Sequence, residues 1–124
     1  KYTEKCYKSA ATVQDKYGVD KVAVSLRRLK SASETSWSGM LLYGYELLVA
    51  KRYDIKIEEV IGCGDSFVAG LLHSIMHGRL PNEALDFAVA ASCLKHTVEG
   101  DFNLVTEKEV NELIKNTLFG IVKR

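Results

Sequence analysis

Ile61-Gly-Cys-Gly-Asp-Ser-Phe67 is the stretch on which the reading of this chain turns. Two glycines flank a small residue, and an acid follows where a helical pattern begins. Glycine reaches backbone angles closed to other residues, so Gly62 and Gly64 let successive N–H groups turn toward one point and form an anion-binding nest. A helix starting near Asp65 aims the positive end of its dipole at the same point. A phosphoryl group gaining negative charge during transfer would be held there, with the Asp65 carboxylate beside it to take a proton from a hydroxyl. Two other phosphate motifs fail. The chain has no Gly-Lys pair for a Walker-type loop, and Phe67 stands where a dinucleotide fingerprint needs its third glycine. On spacing alone, a plain helix start with an acidic first turn explains the stretch equally well.

Downstream the pattern is helical. After Asp65 the apolar positions Phe67, Val68, Leu71, Leu72, Ile75 and Met76 form a stripe of period 3.6, and Gly78 supplies a stop. Pro81, the one proline, opens a second helix carrying Leu85, Ala88, Ala91 and Leu94. A third begins at Thr106, where Glu109 completes a capping box and Val110, Leu113 and Ile114 make the apolar face. Upstream, Thr3 to Tyr17 reads as a helix with Cys6, Ala10, Val13 and Tyr17 on one face. Lys21 to Leu26 is a β-branched run suited to a buried strand, and Arg27 to Thr35 reads as a polar loop. Ser38–Tyr43 and Glu46–Lys51 fit a hairpin around Gly44-Tyr45, and Tyr53–Ile57 extends that sheet. The order helix, strand, hairpin, helices predicts a layered α/β protein and excludes a helical bundle.

Composition narrows the class. A length of 124 residues is one domain or a piece of one. The 17 basic and 16 acidic residues nearly cancel, which argues against a nucleic-acid-coating surface. No apolar run nears the ~20 residues of a membrane-spanning helix, and the first ten residues lack a signal-peptide core. Cys6, Cys63 and Cys93 are odd in number and lack C-x-x-C spacing, so structural zinc and a disulfide framework both fit poorly. The expected setting is a reducing cytoplasm, with neither nucleic acid nor membrane as partner. His73 and His77 lie four apart, a metal-capable spacing with no evident third ligand, so no metal residue is assigned. His96, following Lys95 near a helix end, reads as a cap opposing the dipole. Arg27, Arg28 and Lys30 fit either a solvated loop or a phosphate contact.

The stretch Gly62-Cys-Gly-Asp-Ser-Phe-Val-Ala-Gly-Leu-Leu72 resembles the second signature of the ribokinase-like (PfkB-type) sugar kinases, D-[TR]-x-G-[AG]-G-D-x-F-x-x-G. Ser25-Leu-Arg27, Ser31-Ala-Ser33 and Trp37-Ser38 are similar to the T-L-R-E-S…S-A-S…W-S run of its 2-keto-3-deoxygluconate kinases. Tyr53-Asp-Ile-Lys-Ile57, Ala90-Ala-Ser-Cys-Leu-Lys-His-Thr97, Gly100-Asp-Phe-Asn103 and Gly120-Ile-Val-Lys-Arg124 resemble further runs of that subgroup. The likeness covers the chain from about Lys21 onward.

The resemblance implies an α/β fold, the C-terminal part of a ribokinase-like three-layer α/β/α sandwich. Residues 1–124 would be the C-terminal nucleotide-binding portion of a sugar kinase domain. The N-terminal half, with the sugar pocket and an N-x-x-E motif tied to Mg²⁺, is expected outside this chain, which alone should be inactive. The implied activity is ATP-dependent phosphorylation of a small sugar or sugar acid hydroxyl, 2-keto-3-deoxygluconate first among them, with ATP and Mg²⁺ as cofactors. By position, Asp65 would be the catalytic base, and the backbone N–H groups of Gly62, Cys63 and Gly64 the anion hole. Ser25, Arg27, Ser31 and Ser33 would lie along ATP, and Val89 and Cys93 would border the adenine. The implied partners are a nucleotide and a small sugar, and homo-oligomer formation stays open.

Several positions depart from the family pattern. Glu59 stands where the signature begins with Asp, and Val60 where Thr or Arg follows. Many family members bind a monovalent cation beside this loop, and Glu59 leaves its use here open. Cys63 replaces Ala or Gly, Val89 replaces an Asn or His sometimes found against adenine, and Val98-Glu99 replaces Ile-Pro. The alternative reading is a non-catalytic nucleotide-binding or regulatory domain that kept the kinase fold.

Overall fold

The computed structural model describes residues 2–100 and 105–116. Helix α1 (Tyr2–Tyr17) is followed by β1 (Lys21–Leu29), β2 (Glu34–Tyr43), β3 (Glu46–Val49) and β4 (Tyr53–Lys56). Helices α2 (Cys63–Met76), α3 (Pro81–Lys95) and α4 (Glu107–Asn116) complete the described chain. The long strand β2 organises the sheet. β1 pairs antiparallel along one edge, from Lys21 opposite Tyr43 to Leu29 opposite Thr35. On the other edge β3 pairs with the Met40–Tyr43 end and β4 with the Glu34–Trp37 end, both antiparallel. The β2–β3 turn falls at Gly44-Tyr45 as the sequence predicts.

The expected polar loop from Arg27 to Thr35 is mostly strand. The β1–β2 ladder runs on through Arg27, Arg28 and Leu29, leaving a turn of residues 30–33. The polar sequence hides the strand here, because Thr35 within that stretch, like Ser36 and Ser38 just beyond it, is polar yet buried. Hydrogen bonds satisfy them: Thr35 Oγ1 donates to the Arg28 carbonyl (3.1 Å), Ser38 Oγ donates to that of Ala50 (2.9 Å), and Ser36 Oγ accepts from Arg52 (3.1 Å).

Three layers result, as the family resemblance implies. Alternation along the strands divides the side chains between two faces. On one face Leu26, Met40 and Leu42 pack under α1 through Ala10. On the other, Trp37, Leu41, Tyr53 and Ile55 meet α2 and α3 in the larger core. α3 is the central helix of that core, buried from Ala84 to Lys95 except at Asp86. It approaches β2 closely at Gly39, where an added Cβ would stand 2.8 Å from Val89 Cγ2 and 2.9 Å from Phe67 Cε1. Only glycine fits between the layers there.

α2 begins at Cys63, two residues before the expected start, and its inner face differs from the apolar stripe. Phe67 and Leu71 are buried together with Cys63, Ser66, Gly70 and Ser74. Val68, Leu72, Ile75 and Met76 face outward. The capping box of α4 forms as expected: Thr106 N–H donates to Glu109 Oε1 and Glu109 N–H to Thr106 Oγ1, each at 3.2 Å. Asp101–Asn103 and Gly120–Arg124, used in the family resemblance, lie outside the described residues.

Candidate active site

Gly62 caps α2 in the left-handed conformation (φ 82°, ψ −2°), and no side chain caps the helix. The first i→i−4 bond is Ser66 N–H to Gly62 O, at 2.9 Å. The N–H groups of Gly64 and Asp65 therefore precede the helical ladder and have no partner within it. They point along the helix dipole, which favours an anion. The roles of the two glycines separate here. Gly62 supplies the positive φ that starts the turn, whereas Gly64 is helical. A Cβ on Gly64 would meet nothing within 4 Å, so its missing side chain keeps the space outside the helix open. Asp65 is exposed on the same first turn. Of the three N–H groups expected in the anion hole, that of Cys63 reaches the Val60 carbonyl at 3.4 Å, a long bond. The Cys63 thiol is buried and donates to the Glu59 carbonyl at 3.6 Å.

The loop before α2 is fastened on two sides. The His96 carbonyl, at the end of α3, accepts from the N–H groups of Glu58 (2.9 Å) and Glu59 (3.2 Å). Glu59 Oε1 accepts from Val60 N–H (2.9 Å) and Ile61 N–H (3.1 Å). These bonds, Ile61 first and Val60 second, hold the Glu59 carboxyl below the usual carboxylate range, with smaller help from the Lys95 ammonium and Gly100 N–H. The longer acid at this position still works as a backbone clamp.

Behind the loop lies a stack of Arg27, Trp37 and His96. The Arg27 guanidinium sits over the Trp37 indole, 4.8 Å from the ring centroid, and one of its nitrogens lies 2.7 Å from His96 Nε2. His96 Nδ1 lies 2.7 Å from the Ser92 carbonyl. A guanidinium only donates and a carbonyl only accepts, so the imidazole is neutral with its proton on Nδ1. Trp37 Nε1–H donates to Ser92 Oγ at 2.7 Å and its ring meets His96 edge-on. Arg27 is thus part of β1 and not of a loop, and His96 is the C-cap of α3 as its position suggests, but buried and neutral instead of a cation opposing the dipole. Among the described residues, Arg27 Nη1 is buried without a hydrogen-bond partner. Arg27 and Lys95 both act electrostatically on the Cys63 thiol, whose pKa burial raises and these two cations partly restore.

Burial drives the His96 pKa down from its ordinary 6.5 to about 4, and Arg27 adds to the effect. The folded state therefore favours the neutral ring. That stability is fully present above pH 6.5 and is lost as pH falls toward 4. Unfolding free energy should drop by about 2 kcal/mol between pH 7.5 and 5 from this group alone. Urea titrations of wild type and a His96→Gln variant check it, since the variant should lose most of this pH dependence.

A profile of the pfkB family of carbohydrate kinases matches residues 34–108, from β2 into α4. The chain belongs to the pfkB family of carbohydrate kinases. It is similar to a 2-dehydro-3-deoxygalactonokinase of Haloferax volcanii, 36% identical over 63 residues, which is 51% of this chain and 20% of that protein. Among solved structures it is similar to 2-dehydro-3-deoxygluconokinase of Thermotoga maritima, with TM-score 0.83, 36% identity, and coverage of 88% of this chain and 33% of that one. A ribokinase of Arabidopsis thaliana, complexed with ribose and ATP, matches with TM-score 0.58 and 28% identity over 87% of this chain and 33% of that one. The chain thus spans about a third of the length of these solved relatives.

In this pfkB chain the remaining expected residues divide. Arg27 acts electrostatically on the Cys63 thiol of the signature loop. Ser25 is exposed on β1, and Ser31 and Ser33 are exposed in the β1–β2 turn, where Ser33 N–H donates to Ser31 Oγ at 3.3 Å. That turn is joined to the start of the signature loop, because Ile57 N–H donates to Ser33 O at 2.7 Å. Val89 and Cys93 are fully buried between α3 and the sheet. Val89 backs a cavity of about 230 Å³ lined also by Ala50, Lys51, Tyr53, Asp86 and Ile114. This is below the roughly 300 Å³ at which ligand pockets begin, so it could take only part of a nucleotide. The sequence pattern missed Glu59 as a clamp and Lys95 as a buried charge. A lysine inside the apolar run Ala90-Ala-Ser-Cys-Leu-Lys95 was the available signal for the second.

Proposed function

We propose that this chain is the nucleotide-side portion of an ATP-dependent kinase for a small sugar acid, 2-keto-3-deoxygluconate or its epimer, and that it carries the phosphoryl-transfer loop. The observation that carries the reading is the pair of open N–H groups at Gly64 and Asp65 beside the exposed Asp65 carboxylate. Asp65 takes the proton from the attacking hydroxyl, whose oxygen then bonds to the γ-phosphorus of ATP as the bond to ADP breaks. The open N–H groups hold the developing negative charge, and Arg27 and Lys95 supply fixed positive charge from behind the loop. The names of the relatives support a sugar acid as acceptor. Among the described residues no group of three His, Cys, Asp or Glu side chains stands ready for a metal ion, so no step is assigned to Mg²⁺. Among them, too, no helix is long and apolar enough to cross a membrane.

The test is a coupled ADP assay on the full-length protein with 2-keto-3-deoxygluconate, 2-keto-3-deoxygalactonate, ribose and fructose. Turnover with a sugar acid is expected, and absence of turnover with every acceptor overturns the reading. Gly64→Ala in the same assay locates the chemistry. Its methyl meets no protein atom, so melting should be unchanged, while turnover falls by roughly tenfold or more because the methyl fills the anion's approach. Wild-type turnover in that variant would place the transfer elsewhere.

A further inference from the structure

Lys95 ends α3, is fully buried, and donates from Nζ to the carbonyl oxygens of Val98 (3.1 Å) and Gly100 (2.8 Å). A buried ammonium persists only where its charge and protons are matched. Two carbonyl dipoles do so here, with the Glu59 carboxylate acting on it from the loop. The next residue, His96, accepts through its carbonyl from the N–H groups of Glu58 and Glu59, which ties the turn that Lys95 holds to the signature loop. A single positive charge set among backbone carbonyl oxygens is the chemistry of a bound monovalent cation.

We propose that the Lys95 ammonium is a tethered internal cation that positions the Glu59–Gly62 loop, and with it the anion hole, in place of a soluble monovalent ion. The surroundings do not fit a soluble cation. The Val98 and Gly100 carbonyls are already taken, and Glu59 Oε1 is committed to two backbone N–H groups. Lys95 is a positioning residue, since it acts through the turn after α3 and the loop tied to that turn and not on the reacting atoms. The link from this loop to catalysis rests on the function proposed above, whereas the ion chemistry does not.

The experiment compares full-length wild type with Lys95→Ala, which leaves a vacancy where the ammonium stood. Melting is followed in matched chlorides of potassium, ammonium and tetraethylammonium. Wild type should melt at the same temperature in all three. The variant should melt roughly 5 °C lower in tetraethylammonium and recover most of that loss in ammonium or potassium. Under turnover, the same ions should raise the variant's kcat and leave its KM for the sugar in place, a response that a purely structural lysine would not give. A wild type that itself gains several degrees from potassium overturns the proposal, as does a variant whose melting ignores the cation. Should Lys95→Ala fail to fold, Lys95→Gln takes its place under the same two criteria. A protein without turnover on any sugar would overturn the kinase reading and leave the melting comparison to decide this one.

Discussion

Asp65→Asn in the full-length protein is expected to lower kcat by roughly 10²- to 10⁴-fold while KM for ATP stays within a fewfold of wild type. The amide keeps the size and the position on the first turn of α2 and cannot take a proton from the sugar hydroxyl. The donors at Gly64 and Asp65 belong to the backbone, so they survive the substitution, and nucleotide affinity should survive with them. The side chain is exposed, so the loss should come without a loss of stability. A coupled ADP assay with a melting curve on the same preparation separates the outcomes. Turnover within tenfold of wild type would remove Asp65 from the role of base.

Trp37→Ala should be the most destabilising single change among the core positions described, at about 3–5 kcal/mol. The indole does three things at once. It fills the core between β2 and α3, donates to Ser92 Oγ, and supports the Arg27 guanidinium and the His96 ring. Ser92 already donates to the Ala88 and Val89 carbonyls, so Trp37 is the donor that fills its acceptor side. Trp37→Phe keeps most of the volume and loses this bond, and should cost about 1 kcal/mol. Denaturant unfolding of both variants in the full-length protein gives the comparison. Similar values for Phe and Ala would show that ring volume is not what holds β2 to α3.

Much of the fold is legible in the residues, and the parts that are not share one cause. Thr106 and Glu109, Gly44-Tyr45 and the period of α1 announce themselves because their partners lie a few residues away. Arg27 and His96 are 69 residues apart and Trp37 and Ser92 are 55 apart, so neither pair leaves a local pattern. Thr35 reads as the end of a polar loop because polarity usually means exposure, and only the folded sheet supplies the group that satisfies it. The outward-facing half of the α2 stripe misleads in the opposite sense. Apolar spacing gives the helix and its period, yet which side is covered depends on where α3 runs. In the site, Gly62 and Asp65 are readable from the motif alone. The clamp by Glu59 and the ammonium of Lys95 are not: their partners lie within five residues, but only the folded chain buries Lys95 and turns those backbone groups toward the two side chains.

The His96 carbonyl, accepting from Glu58 and Glu59 together, gives the signature loop the mechanical footing of the core. α3 is buried along nearly its whole length, so its last carbonyl has few ways to move. A loop hung from it inherits that stillness. When charge builds on a phosphoryl group, water must turn its dipoles to meet it, and that turning is a large part of the barrier in solution. In the function proposed above, the donors in the first turn of α2 would already be aimed, so the orienting would be done once, as the chain folds, and not repeated at each turnover.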